Sequence, residues 1–258
     1  MHRFYQPGPE FSQRQIPLPP EEVHHALHVL RLREGEPVAV MNGQGEVAYG
    51  VLRTENRQVA SVMVERRERR PRPRPQMVLF QGVTKRSAFE WILQKAVEMG
   101  VSRFVPVLTE HAVPSWDPRE VRKKQERWEA IAIGAMKQSG NPWRMQVDSP
   151  KPFPQALEEK GLDDEEPVLR LVALLEEEAQ PLRVWLQRFR AEKGTDPETV
   201  HLWIGPEGDF SSWEKDQLRQ RQVHPLTLGP YTLRAETAAL TALAHLSYEL
   251  RLLSRANL

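Results

Sequence analysis

The chain has 258 residues, with 36 Lys and Arg balancing 35 Asp and Glu, and it contains no cysteine. The near-zero net charge gives no argument for a polyanionic partner from the total, and the lack of thiols excludes disulfides, thiolate metal ligands and cysteine nucleophiles. No apolar run approaches the ~18 residues that span a bilayer, and Met1–Tyr5 opens no apolar leader core. A cytoplasmic chain of two domains, without membrane or metal, is therefore expected.

Residues 1–70 alternate short apolar stretches with turn signals. Val38–Met41 runs into Asn42-Gly43, followed by Glu46–Leu52 and Val59–Val64. Short strands broken by an Asn-Gly turn predict a small β-barrel. A helix over Pro20–Leu30 interrupts it, with Val23, Ala26, Leu27 and Leu30 at helical spacing. Arg66–Pro75 then sets six arginines against one glutamate. Its Arg-Pro alternation over 71–75 reads as a semi-rigid linker, either a solvated strand end or a contact for RNA phosphates.

From residue 76 the pattern alternates strands and helices. The run Met77–Phe80 precedes a helix over Ser87–Met99, whose stripe is Phe89, Ile92, Leu93, Ala96 and Val97 and whose stop is Gly100. A strand at Phe104–Leu108 and a long helix at Arg119–Ser139 follow. Later strands are Val168–Leu175, Val200–Ile204 and Pro225–Leu228; later helices are Pro181–Ala191, Ser212–Arg221 and Ala235–Leu253. Such alternation predicts an α/β domain over 76–258 with a mostly parallel sheet. Trp91 and Trp128, both at helical spacing, read as core in preference to stacking platforms.

Two loops carry candidate chemistry. His201–Ile204 enters Gly205-Pro206-Glu207-Gly208, after which Ser211 and Glu214 fit a capping box. A strand that ends in a glycine turn before a helix is where open α/β sheets hold ligands, although an ordinary tight turn has the same pattern. It is neither a Walker loop nor a dinucleotide fingerprint. Leu228-Gly229-Pro230 ends the next strand similarly and leads through Arg234, Glu236 and Thr237 into an apolar helix. Two readings stand: Thr237 caps that helix beside a surface Arg234–Glu236 pair, or Arg234 points into a ligand site between the loops.

The Ile-Gly-Pro-Glu-Gly turn and Leu-Gly-Pro-x-x-Leu-Arg-x-Glu-Thr-Ala together resemble the RsmE family, SPOUT-class enzymes that methylate N3 of a uridine in small-subunit (16S) ribosomal RNA. The likeness runs nearly end to end, through His25, Val29–Leu32, Glu90, Gln94-Lys95, Glu98–Val101, Arg127-Trp128, Ile131 and Gln138-Ser139. It implies a PUA-like, RNA-binding β-barrel, a SPOUT methyltransferase domain whose C-terminal part threads a trefoil knot, and a homodimer. S-adenosyl-L-methionine is the implied cofactor. It would be held by Leu174 and Leu175, by Ile204, Gly205, Pro206, Glu207 and Gly208, and by Leu228, Gly229, Leu233 and Thr237. Arg234 would stabilise charge on the base carbonyls, with Glu236 or Glu207 orienting it or relaying the proton.

RNA contacts are expected at His25, Arg31, Arg33, Lys85 and Arg144. His25 equally fits a local backbone contact, and Arg31 a helix C-terminal dipole. The chain departs from the family at Ala88, Lys137, Asn141, Met145 and Asp209, and in the acidic loop Leu174–Glu178. Arg144 or Lys137 would make good the contacts altered near Ser139. Alternative readings are methylation of another RNA site, such as ribose O2′, or a non-catalytic RNA-binding factor of ribosome assembly.

Overall fold

The computed structural model describes residues 1–56, 58–111, 116–158 and 167–251. The acidic run 163–166 and the expected end of the last helix at Leu253 lie outside them. The chain divides into two compact units, Met1–Arg72 with Ile133–Arg144, and Pro73–Ala132 with Met145–Leu258.

The first unit contains β1 (His2–Tyr5), β2 (Gln15–Pro17), α1 (Pro20–His24), β3 (Pro37–Met41), β4 (Glu46–Asn56) and β5 (Val59–Arg69). The strands pair in the order β1-β3-β4-β5-β2, with β1 and β3 parallel and the other pairs antiparallel. The Asn42-Gly43 signal works as chemistry predicts. Asn42 Oδ1 accepts the N–H groups of Gln44 and Glu46 at 2.8 and 3.1 Å, while Gly43 takes φ +75°. Phe4, Ile16, Val38, Val40, Leu52 and Val62 fill the core at 0% exposure, and a bulge at Tyr49/Gly50 bends the β4–β5 ribbon around it. The helix read over Pro20–Leu30 is α1 continued by a π-helical turn, His25–Val29.

Ile133–Arg144 completes this unit, which a boundary drawn along chain order leaves out. Lys137 Nζ lies 2.6 Å from the carboxylate of Glu22, which is 4% exposed. Pro142 O accepts Gly45 N–H at 3.0 Å, and Arg144 N–H donates to Gly43 O at 2.9 Å. The arginine cluster is largely engaged within its own unit. Arg66 lies over Tyr49, Arg67 donates to the carbonyls of Phe11 and Gln13, Arg70 pairs with Glu68, and Arg72 lies over Trp143.

The second unit is an α/β layer structure. Its strands are β6 (Gln76–Gly82), β7 (Arg103–Leu108), β8 (Gln146–Val147), β9 (Lys151–Pro152), β10 (Val168–Ala173), β11 (Thr199–Ile204) and β12 (His224–Leu226). The helices are α2 (Arg86–Glu98), α3 (Pro118–Ser139, which crosses into the first unit), α4 (Phe153–Leu157), α5 (Leu182–Lys193), α6 (Ser212–Gln220) and α7 (Ala235–Arg251). Sheet order is β12-β10-β11-β6-β7-β8, with β9 also on β7, and the pairs are parallel. The α2 stripe is buried as its spacing predicts, and Gly100 stops the helix at φ +79°. Phe80 stacks on Trp203 at 4.2 Å in the core. Trp128 is buried, but Trp91 is 38% exposed, so only one of the two tryptophans read as core lies there.

Candidate active site at the strand ends

Parallel strands leave main-chain groups unpaired where they end, and helices begin there with free N–H groups, so ligand sites gather at that edge. Here β10, β11 and β12 end around one cavity of about 330 Å³. Leu174 and Leu175 line it after β10; Ile204, Gly205, Pro206 and Glu207 after β11; Leu228, Gly229, Leu233 and Arg234 after β12. β11 and β12 are not neighbours as chain order suggests, because β10 pairs with both and lies between them. The eight residues from Thr227 to Arg234 adopt neither helix nor strand. Gly229, at φ +127° with nothing within 4 Å of a would-be Cβ, sits in backbone that L side chains rarely adopt.

Three of the residues singled out lie off the lining: Gly208, Glu236 and Thr237. Gly208 is small for another reason. A Cβ there would meet the Cβ of His111 at 2.9 Å, and His111 Nδ1 lies 2.9 Å from Gly208 O and 3.1 Å from Asp209 O. Thr237 is not an N-cap, because α7 begins two residues earlier and Ala238 N–H already donates to Arg234 O at 2.8 Å. Nor is there an Arg234–Glu236 pair: among the described residues no carboxylate holds Arg234. Ala173, Asp209, Tyr231, Thr232, Ala235 and Ala238 complete the lining. They lie within or beside the motif segments, but periodicity alone did not mark them.

The two carboxylates differ. Glu207 Oε1 accepts the main-chain N–H of Lys85, the residue before α2, at 3.1 Å. That bond ties the second loop to the start of α2 and holds Glu207 at the cavity wall. Ser211 and Glu214 form the expected capping box at α6. Asp209, where a glycine is usual in the family it resembles, adopts φ +59° and pairs with Lys215 Nζ at 2.7 Å. Lys215 also lies 3.5 Å from Glu176, which Arg219 contacts at 2.6 Å. The acidic character of the first loop is thus partly met by cations of α6. Burial opposes the charge on Lys215, but Asp209 and Glu176 outweigh it and raise its pKa.

The remaining candidates are dispersed. Lys85 is exposed in the second unit. In the first unit, His25 is half-buried in a T-shaped contact with Phe4, ring centroids 6.4 Å apart. Arg31 is exposed at φ +55°, where the helical segment ends. Exposed Arg33 donates its N–H to Glu36 at 2.8 Å, and Arg144 is also exposed. The ammonium of Lys137, offered as a replacement RNA contact, instead pairs with Glu22. Among the described residues no helix is long and apolar enough to cross a membrane, and no group of three His, Asp or Glu is placed to hold a metal ion.

A cavity at the carboxyl edge of this sheet, on a chain with a separate five-stranded unit, defines the class. Residues 70–247 match the RNA methyltransferase domain and residues 18–58 the RNA methyltransferase PUA domain. Over 253 residues the chain is 30% identical to ribosomal RNA small subunit methyltransferase E of Bacillus subtilis, covering 95% of this chain and 96% of that one. The counterpart of Aquifex aeolicus is 30% identical over 249 residues, with 93% and 96% coverage. The crystal structure of the Neisseria gonorrhoeae enzyme of the same name, bound to S-adenosylmethionine, superposes with a TM-score of 0.83 at 26% identity, over 96% of this chain and 98% of that one. The chain belongs to the ribosomal RNA small subunit methyltransferase E family.

Proposed function

We propose that this protein transfers a methyl group from S-adenosylmethionine to N3 of a uridine in small-subunit ribosomal RNA. The observation that carries the reading is the cavity at the ends of β10, β11 and β12, with Arg234 at its lining and, among the described residues, no carboxylate paired with it. The residues present fit the cofactor. The volume is within the ~300–1,000 Å³ of small-molecule sites, Leu174, Leu228 and Leu233 offer apolar surface, and the irregular main chain over 228–233 brings backbone polar groups to the cavity outside any strand or helix.

When bound, S-adenosylmethionine supplies an electrophilic methyl on a sulfonium, open to in-line displacement by a nitrogen nucleophile. Orientation of the two reactants can then provide much of the rate. Uridine N3 carries a proton at neutral pH, so the site must favour its loss. Arg234 does so by stabilising the negative charge that develops on the flanking carbonyls as N3 gives up its proton and bonds to the methyl. Of the two carboxylates, the reading favours Glu207 as the group that orients Arg234 or accepts the proton, since it lines the cavity and Glu236 does not. N3 lies on the Watson–Crick edge, so the base is presented unpaired or flipped.

The same proposal includes action in the cytoplasm as a homodimer with a knotted C-terminal region. The knot is what the family resemblance implies; the strand order sets β12 beyond β10 from β11, so the connection between them crosses β10. Exposed Leu175, Tyr231 and Tyr248 offer apolar surface to a second copy, and light scattering on the purified protein tests that assembly.

The deciding experiment incubates protein, cofactor and unmodified small subunits, and identifies the methylated nucleoside by mass spectrometry. N3-methyluridine is expected, with Arg234→Ala losing turnover by about 100-fold or more while calorimetry still detects cofactor binding. A ribose-methylated product, no product, or an active Arg234→Ala variant overturns the reading.

A further inference from the structure

A second cavity, of about 220 Å³, opens between the start of α2 and the first half of α3. Its chemistry differs from that of a packing defect. Phe89 and Trp128, 1% and 4% exposed, form part of its wall with their rings 4.6 Å apart. Trp116 adds another aromatic face, 6.0 Å from Trp128 at 62°. The other lining residues include four cations, Arg86, Lys123, Lys124 and Arg127, and one carboxylate, Glu90. That carboxylate is already satisfied. Arg127 Nη2 donates to it at 2.8 Å and Arg86 Nε at 3.0 Å, and Arg127 foremost holds its pKa below the usual value. Lys123 is exposed, and Lys124 lies over the Trp116 ring at 4.3 Å.

Aromatic faces beside a cationic rim are what an unpaired nucleotide requires. The base stacks without sequence demand, and the rim receives its phosphate. The position of the cavity adds a second argument. Lys85, whose N–H the Glu207 carboxylate accepts, is flanked by Thr84 and Arg86 of the second cavity, while Glu207 itself lines the first. One short segment therefore joins the two.

We propose that this cavity is a subsite for one unpaired RNA nucleotide neighbouring the one presented to Arg234, with its base against Trp116 and its phosphate at Lys123, Lys124 and Arg86. The inference rests on the reading above that the substrate is RNA. It explains how an enzyme whose net charge is near zero holds a polyanion, through local surplus rather than total charge.

Binding of a short fluorescent oligouridylate, followed by anisotropy across a salt series, tests it independently of methylation. Trp116→Ala is expected to weaken binding about tenfold, and Trp116→Phe to restore most of it. Lys123→Glu with Lys124→Glu, at the rim, should weaken binding further and lower the salt slope by about two. Cofactor affinity by calorimetry should be unchanged in each, which also reports that the variant is folded. Should Trp116→Ala fail that check, the rim variant and quenching of wild-type tryptophan fluorescence by uridine monophosphate carry the test. Wild-type affinity in the folded variants overturns the subsite. So does loss on charge reversal alone with Trp116→Ala unaffected, because the rim would then be a charged patch without a base site. If small subunits yield no methyluridine yet these variants lose oligouridylate, the subsite stands and the proposed activity falls.

Discussion

His201 shows what a single buried side chain does to stability. It lies in β11, 4% exposed, in a T-shaped contact with Phe80, ring centroids 5.4 Å apart, and among the described residues its Nδ1 has no hydrogen-bond partner. Burial, aided by the charges of Arg170 and Arg103, pushes its pKa down to about 3. The folded state thus binds fewer protons than the unfolded chain below the ordinary histidine value. The stabilising effect of a neutral His201 is complete above about pH 6.5 and is lost as pH falls toward 3, by about 2 kcal/mol at pH 5. Urea unfolding at pH 7.5 and pH 5 should show that loss in the wild type and a smaller one in His201→Leu. Equal slopes would remove His201 from the account. The sequence places His201 on a strand before a glycine turn, but not its depth, which comes from β10 and β6 covering both sides. Arg234 was legible for the opposite reason. It sits in a local pattern, a glycine turn at a strand end running into a helix, and needs no knowledge of distant partners.

At the scale of elements, the loops were readable from punctuation, while the bracing between them was not. Glycine, proline and capping signals locate the turn after β11 and the start of α6 within a residue or two. Nothing in chain order says that Lys215 of α6 lies 2.7 Å from Asp209 and 3.5 Å from Glu176, on two different cavity loops. The pairing also accounts for two departures from the family pattern, since Asp209 and the acidic first loop share one cation. β8, β9 and α4 escaped notice because segments of two to five residues are too short to express a period. Lys215→Ala should loosen both loops. Partly exposed ion pairs contribute roughly 1 kcal/mol or less, so cofactor affinity by calorimetry should fall up to about fivefold. The wild-type affinity should decline with salt toward that of the variant. Unchanged affinity at low salt would mean that the loops are held by their strands alone.

At the scale of the whole molecule, composition and periodicity separate a β-rich N-terminal part from an α/β remainder, but they cannot show that the first unit recruits residues from far along the chain. Glu22 is 4% exposed, one of its oxygens has no partner among the described residues, and Lys137 neutralises the other at 2.6 Å. Removing one partner of a buried pair leaves an uncompensated charge and costs about 3–5 kcal/mol, toward the lower end here because Lys137 retains some exposure. Lys137→Met in the full chain should therefore lower the unfolding free energy by about 3 kcal/mol, a large share of the ~5–15 kcal/mol of a typical domain. Glu22→Gln combined with Lys137→Met should recover much of it, because the buried charge is then gone. A fragment of residues 1–72 makes the sharper test. It contains β1 to β5 but lacks Lys137, the Pro142 carbonyl that receives Gly45 N–H and the Arg144 N–H that caps Gly43 O. That fragment should give collapsed, poorly dispersed amide spectra, and adding a peptide of residues 133–144 should sharpen them. A fragment that folds alone, with dispersed spectra and a cooperative melt, would show that the strands suffice and that the recruited segment only decorates them.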